Sequence, residues 1–166
     1  MITLHALYTL IQMNNGVFDK VEAKKRRTTP QEAVQNMKDI LNKKKSFIKD
    51  AVYREDIGEI SFFWGDNKAG VKHILHERQI KDKLSYKEAC KVAIEVAKVI
   101  PNGHVTDEER NGSIRKVIAL GDYAAILILG NKKNIAEKMN SWLLTGYKMN
   151  EKKKEKYNKK IDDNNS

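Results

Sequence analysis

The chain has 166 residues and a mass of 19.1 kDa, which suits one ordinary domain. Its formal net charge of +10 favours a polyanionic partner, whether nucleic acid, an acidic lipid surface or an acidic protein, without choosing among them. A single cysteine, Cys90, excludes an internal disulfide framework and the cysteine-rich zinc patterns. We predict that Cys90 is a buried core thiol and that the working compartment is reducing, hence cytoplasmic, in the producing cell or in a host or target cell.

The two ends of the chain differ from its middle. The first thirteen residues carry no charge, lack a basic start and a cleavage site, and are too short to span a bilayer. We therefore predict no membrane association, with residues 1–28 as an apolar segment and basic linker that is buried or binds a partner. Residues 149–166 predict a disordered, lysine-rich tail, either a solvated end or an electrostatic tether to nucleic acid. The domain itself is predicted over residues 29–148.

Three helices are predicted in chain order. Thr29-Pro30-Gln31-Glu32 has the form of a capping box with proline at the first helical position, and apolar spacing extends this helix over residues 30–48. A short strand over Gly58–Trp64 ends at Gly65-Asp66 and leads into a helix over residues 69–78. A second capping box at Ser85 starts a further helix, which ends before Pro101.

After this point the period changes from helical to alternating. The runs Gly112–Leu120 and Asp122–Leu129 predict an antiparallel hairpin, and Asn140–Tyr147 predicts another strand. Helices followed by an antiparallel sheet indicate an α+β domain. Neither a dinucleotide-binding glycine motif nor a phosphate-binding loop is present, which argues against those two enzyme classes.

His73 and His76 lie three residues apart on a predicted helix, so both project to the same general side. Their nearest carboxylates, Asp66 and Glu77, complete no recognised metal pattern, and we predict no metal. Acid–base chemistry suits the pair better, because imidazole exchanges protons near neutral pH. The alternative is that His73 bonds the sheet and His76 is merely solvated. Cations that could stabilise a phosphorane are Lys68, Lys72, Arg78 and Arg115.

The late segment Ser141–Lys148 is the second candidate. Strand alternation predicts that Trp142, Leu144 and Gly146 point one way and Leu143, Thr145 and Tyr147 the other. Thr145 could then bind a phosphate oxygen while Tyr147 stacks on a base. The alternative is an ordinary β-branched residue in an edge strand.

Four pieces of the sequence together resemble one nuclease superfamily. They are Ile60-Ser61-Phe62-Phe63-Trp64-Gly65, Gly70-Val71-Lys72-His73-Ile74, Gly121-Asp122-Tyr123 and Trp142-Leu143-Leu144-Thr145. Their order over residues 58–148 resembles the phage-associated nucleases of the barnase, EndoU, colicin-nuclease and RelE-like (BECR) superfamily.

The resemblance implies an α+β fold in which N-terminal helices pack on a four-stranded antiparallel sheet. It also implies a metal-independent endoribonuclease without a cofactor, in which His73 and Thr145 match the family's histidine and late hydroxyl residue. We predict catalytic roles for His73, His76, Arg78 and Thr145. The predicted substrate-binding residues are Lys72, Arg115, Trp142, Tyr147 and Lys148.

Such an enzyme would cut RNA through the ribose 2′-hydroxyl and would act as a toxin or phage effector on host RNA. It would then need an inhibitor protein or delayed exposure to spare the producing cell. Two other functions stay open. One is a non-catalytic basic module that binds nucleic acid or a phage structural protein, and the other is a regulatory protein whose N-terminal segment docks a partner.

Overall fold

The computed structural model describes residues 25–129 and 141–157, which form four helices and a single sheet. The helices are α1 (Pro30–Leu41), α2 (Val71–Lys81), α3 (Tyr86–Val99) and α4 (residues 151–157). The strands are β1 (Phe47–Arg54), β2 (Gly58–Phe63), β3 (His104–Arg110), β4 (Ser113–Leu120), β5 (Tyr123–Leu129) and β6 (Ser141–Lys148). The predicted N-terminal segment up to residue 24 lies outside the described residues.

The sheet has six strands in the order β1-β2-β6-β5-β4-β3. Strands β2 and β6 pair in parallel, and every other neighbouring pair is antiparallel. The α+β class is therefore confirmed, but the expected four-stranded antiparallel sheet is wrong. The expected N-terminal position of the helices is also wrong, because α2 and α3 lie between β2 and β3 and α4 follows β6.

Strands β1 and β3, which form the two edges of the sheet, were not predicted from the sequence. Residues 42–48 were expected to continue the first helix, whereas α1 ends at Leu41 and Lys43 takes a positive φ of 58°. Phe47 then pairs with Phe63 at the start of β1. Strand β3 was missed because its sequence, HVTDEER, is too polar to resemble a buried strand.

The predicted helix starts are found. The Thr29 hydroxyl accepts from the Glu32 backbone N–H, and the Glu32 carboxylate accepts from the Thr29 N–H, so both halves of the capping box are present. The Ser85 hydroxyl accepts from the Glu88 N–H at the start of α3. These bonds satisfy backbone donors that a helix start would otherwise leave unpaired.

One face of the sheet, which we call the helix face, packs against α1, α2 and α3. Its side chains are fully or almost fully buried and include Phe62, Ile118, Ala125, Leu127 and Leu143. The opposite face, which we call the second face, carries three rows of paired residues because directly opposed residues share a face. These rows are Arg115-Ile128-Trp142, Val117-Ile126-Thr145 and Ala119-Ala124-Tyr147.

A β-bulge changes the alternation of β6. Ile126 pairs with Thr145 and Leu127 pairs with Leu143, so Leu144 is an extra residue between them. The bulge moves Trp142 to the face that carries Thr145 and Tyr147, instead of the predicted opposite face. The carbonyl of Leu144 accepts a hydrogen bond from the Gly70 N–H at 2.9 Å, which docks the start of α2 on β6.

Residues 149–157 also differ from the prediction of a disordered tail over residues 149–166, and residues 158–166 of that tail lie outside the described residues. Residues 151–157 are helical, and the Tyr157 ring is only 2% exposed against Val117, Ala119 and Ala124 of the second face. Its hydroxyl donates to Glu108 on β3 at 2.9 Å. The aromatic ring and this bond give the segment something to bury despite its many lysines.

Candidate active site

A tight loop, residues 65–70, joins β2 to α2 and shapes the surroundings of His73. The Asp66 carboxylate accepts from the backbone N–H groups of Lys68 at 2.8 Å and Ala69 at 3.1 Å. The hydrogen bond from the Lys68 N–H is the main cause that lowers the pKa of Asp66, and the bond from the Ala69 N–H adds to it. Gly70 has a φ of 96°, and a β-carbon there would lie 2.9 Å from two carbonyl oxygens of the chain entering the loop. The loop is thus closely constrained.

His73 is oriented by this loop. Its Nδ1 lies 2.5 Å from the backbone carbonyl oxygen of Asn67. A carbonyl oxygen can only accept, so Nδ1 carries the hydrogen and Nε2 of the neutral ring keeps its lone pair. The side chain remains 16% exposed. His73 is therefore held as a tautomer that can accept a proton through Nε2.

Glu77 lies one helical turn beyond His73. Its carboxylate is 4.0 Å from Nδ1 of His73 and 2.6 Å from the ammonium group of Lys81. The hydrogen bond from Lys81 is the main cause that lowers the pKa of Glu77, and the charge of His73 adds to it. The carboxylate stays ionised at neutral pH and would stabilise an imidazolium on His73.

The remaining polar residues at the start of α2 are more open. Lys68 and Lys72 are exposed, and His76 is half-buried. Within residues 25–129 and 141–157, the side chains of all three make no hydrogen bond or ion pair. They are available to contact a bound anion.

Arg78 occupies the buried side of α2. It is 8% exposed, pairs with Asp82 at 2.9 Å, and places its guanidinium carbon 5.8 Å from the centre of the Tyr147 ring. Its Nε is buried without a hydrogen-bond partner among the described residues. The described residues therefore leave one hydrogen-bond donor of this buried guanidinium unused.

Tyr147 receives a second cation from α4. The Lys153 ammonium lies 4.4 Å from the ring centre and donates to the phenol oxygen at 3.1 Å. The ring predicted to stack on a base is thus already in contact with two cations. Tyr147 and α4 together place Lys153 close to the side of β6 where Arg78 lies.

The other predicted residues of β6 and β4 divide between the two faces. Thr145, Trp142 and Arg115 lie on the second face, each partly exposed. Lys148 pairs with Tyr123 and lies on the opposite face from its neighbour Tyr147. The structure therefore groups Arg115, Trp142, Thr145 and Tyr147, but not Lys148.

The bond from Gly70 to Leu144 relates the two halves of the site. His73 lies three residues after Gly70, and Thr145 follows Leu144 directly, so both belong to the junction of α2 with β6. No hydrogen bond joins His73 to Thr145 in the described parts of the chain. Residues five apart on a helix are about 140° apart around its axis, so His73 and Arg78 flank the junction from different sides.

Features away from this junction have simpler explanations. Burial raises the pKa of the partly buried Cys90 thiol, with Tyr86 opposing the shift, and the side chain packs against the helix-face core. No group of three His, Cys, Asp or Glu side chains among the residues described is arranged to hold a metal ion. The described helices are all too short or too polar to cross a membrane.

The family comparison identifies the class of protein. Residues 51–153 match the family described as phage-Barnase-EndoU-ColicinE5/D-RelE like nuclease. This match covers more than half of the chain and includes both α2 and β6. The protein belongs to this phage-type nuclease family, which confirms the resemblance found in the sequence. Neither the curated proteins nor the solved structures gave a match to this chain.

Several residues of the site were not assigned roles from sequence. Asn67 acts through its backbone carbonyl, which leaves no side-chain signal. Glu77 was considered only as a metal ligand, although its i,i+4 spacing from His73 could have indicated a carboxylate–histidine contact. Lys153 was hidden in a lysine-rich run that resembles a solvated tail.

Proposed function

We propose that the protein is a metal-independent endoribonuclease that uses the ribose 2′-hydroxyl as its nucleophile. The observation that carries the proposal is the orientation of His73, whose Nδ1 faces the Asn67 carbonyl while Nε2 is left as a proton acceptor. Membership of a nuclease family supports the general reaction class. Cleavage of RNA rather than DNA follows in the proposal from the need for a 2′-hydroxyl.

The proposed reaction is an internal transesterification. His73 Nε2 removes the proton of the 2′-hydroxyl, and the 2′-oxygen forms a bond to the adjacent phosphorus as the bond to the 5′-oxygen breaks. His76 is the proposed acid that protonates the leaving 5′-oxygen. The products are a 2′,3′-cyclic phosphate and a 5′-hydroxyl end, and no external co-reactant is consumed.

The cations have a separate role. Arg78, with its unused Nε donor, and Lys72 at the start of α2 are proposed to balance the growing negative charge on the phosphoryl oxygens. Arg115 would contact a neighbouring phosphate on the second face. Thr145 would donate its hydroxyl hydrogen to a phosphate oxygen, and Glu77 would stabilise the imidazolium formed on His73.

The test is cleavage of purified RNA in the presence of EDTA. Wild-type protein is expected to produce 2′,3′-cyclic phosphate ends, and His73→Ala is expected to lower the rate by about 10²- to 10⁴-fold. His104→Ala, which removes a histidine at the other end of the sheet, is the matched control and should cleave like wild type. Thermal unfolding of all three proteins separates a chemical effect from a folding one.

Two outcomes would overturn the proposal. Cleavage that is unchanged in His73→Ala would remove the assigned base. Binding of RNA without cleavage by the wild-type protein would favour the alternative, a non-catalytic basic module that binds nucleic acid or a phage structural protein.

We further propose that the enzyme acts as a toxin or phage effector in the cytoplasm of a host or target cell, with RNA as its substrate. Uncontrolled cleavage of RNA would harm the producing cell, so an inhibitor protein is expected as a second partner. Expression of wild-type protein should stop growth of a bacterial culture, whereas His73→Ala should not. Equal growth in both cultures would contradict the effector role.

A further inference from the structure

Three aromatic side chains form an exposed cluster on the second face, beside the loop that holds His73. The Phe47 and Trp142 ring centres are 5.7 Å apart with a tilt of 46°, and Phe63 meets Trp142 edge to face at 5.6 Å. Phe47 is 45% exposed, and Phe63 and Trp142 are each partly exposed. We call these three residues the aromatic platform.

The platform contacts the loop of residues 65–70, which orients His73. A β-carbon at Gly65 would lie 2.9 Å from the Phe63 ring, and one at Gly70 would lie 3.1 Å from the same ring. Phe63 therefore lies between Trp142 and the loop that supplies the Asn67 carbonyl to His73. A group seated on the platform would be a neighbour of the His73 site.

The surroundings of the platform favour an anionic ligand. Arg115 lies in the same cross-strand row as Trp142, separated from it by Ile128, and makes no ion pair within the described residues. Lys68 and Lys72 are exposed on the loop and on the first turn of α2. An exposed aromatic surface flanked by unpaired cations is complementary to a flexible nucleic-acid strand, whose bases stack while its phosphates meet the cations.

We propose that the aromatic platform is a base-stacking subsite that holds an unpaired nucleobase of the substrate next to the scissile phosphate. The proposal rests on the proposed ribonuclease function and extends it, because it makes the substrate single-stranded at this point. A base in a duplex is stacked on its neighbours and cannot lie flat on an aromatic ring. Phe47, at the outer edge strand, is the most accessible ring and would contact the base most directly.

Binding can be measured separately from cleavage with a 2′-O-methyl oligonucleotide of about eight nucleotides, within the length that one stacking groove holds. Methylation removes the nucleophile, so the ligand stays intact under the proposed mechanism. The chain has two tryptophans, and Trp64→Phe leaves Trp142 as the single fluorescent reporter. Bound single strand should quench Trp142, while a duplex of equal length should quench it much less.

The decisive variant is Phe47→Leu, which keeps an apolar side chain but removes the aromatic face. It is expected to weaken binding of the single strand by about tenfold, and Phe47→Ala should weaken it by at least as much. Ile114→Ala is the matched control, because Ile114 is 47% exposed on β4 next to Arg115 but on the opposite face. Its affinity should equal that of wild type. Circular dichroism checks that each variant is folded.

The outcomes separate this inference from the proposed function. RNA cleavage by wild type together with unchanged binding by Phe47→Leu would overturn the platform and leave the nuclease standing. Loss of binding by Phe47→Leu in a protein that cleaves no RNA would support the platform and remove the catalytic proposal. Equal quenching by duplex and single strand would overturn base stacking, because it would assign the affinity to phosphate contacts alone.

Discussion

The two faces of the sheet differ in what their side chains contact. On the helix face, Phe62, Leu127 and Leu143 are completely buried against α1, α2 and α3. On the second face, α4 covers only part of the surface, and Arg115 and Trp142 remain partly exposed. The helix face therefore supplies most of the stability and the second face is available for binding, because a side chain cannot both fill a core and contact a ligand.

The largest difference in stability between the two faces is expected for substitutions at two neighbouring residues of β5. Leu127→Ala should lower the free energy of unfolding by about 2–5 kcal/mol, because it leaves a cavity in a fully buried site. Ile126→Ala, on the second face, should cost less because its side chain is only partly buried. Urea unfolding measures both. Equal losses would mean that α4 makes the second face as much a core as the helix face.

A second pair of neighbours tests function against stability. A β-carbon at Gly146 would lie 2.4 Å from a Val96 methyl group on α3, so Gly146→Ala should destabilise the fold by about 1–3 kcal/mol. Thr145→Ala, one residue away on the second face, should leave the unfolding midpoint nearly unchanged but slow RNA cleavage on the order of tenfold. A Thr145→Ala variant with wild-type cleavage would remove the hydroxyl from the mechanism.

Glu77→Gln tests the contact beside His73. The change removes a negative charge 4.0 Å from Nδ1, so an imidazolium formed on His73 during the reaction is less stabilised. The maximum rate of RNA cleavage should therefore fall several-fold, while the unfolding midpoint changes little. Glu88→Gln, in the first turn of α3, is the control and should cleave like wild type. An unchanged rate in Glu77→Gln would show that Glu77 serves only Lys81.

The smallest effect is expected from the cap of α1. The Arg26 side chain, followed by the Thr29 bonds, lowers the pKa of Glu32 to about 2. A carboxylate with a depressed folded pKa contributes stability above its unfolded pKa of about 4.5 and loses it as the pH falls through 2. Glu32→Gln should therefore be slightly less stable than wild type at pH 7, with a difference that shrinks as the pH falls from 4.5 through 2. Unfolding at pH 7 and at pH 2 checks the sign.

Local signals predicted much of the fold and some of the site. The capping residues Thr29 and Ser85 located the starts of α1 and α3, because a cap depends on atoms only a few residues apart. Gly121-Asp122 located the hairpin between β4 and β5 for the same reason. His73 was singled out by its residue type and its helix, and the family match includes the pieces that carried the resemblance.

Contacts between segments that are distant in the sequence were harder to predict. The pairing of β1 with β2 includes a shift between Ile48 and Val52, and Asp50 nearby takes a positive φ of 56°, which interrupts the alternation that would have revealed the strand. The bulge at Leu144 likewise reversed the predicted direction of Trp142. A shift of one residue turns every following side chain to the other face, and its position depends on the partner strand.

By itself, the sequence determined the helix caps, the β4–β5 hairpin, the charge and the resemblance to a nuclease family. The tertiary structure alone decided that Phe47, Phe63 and Trp142 meet, that the Asn67 carbonyl orients His73, and that Lys153 reaches Tyr147. The reason is physical. A cap or a turn is fixed by neighbouring atoms, whereas each of these contacts joins segments whose relative positions depend on strand register and helix packing.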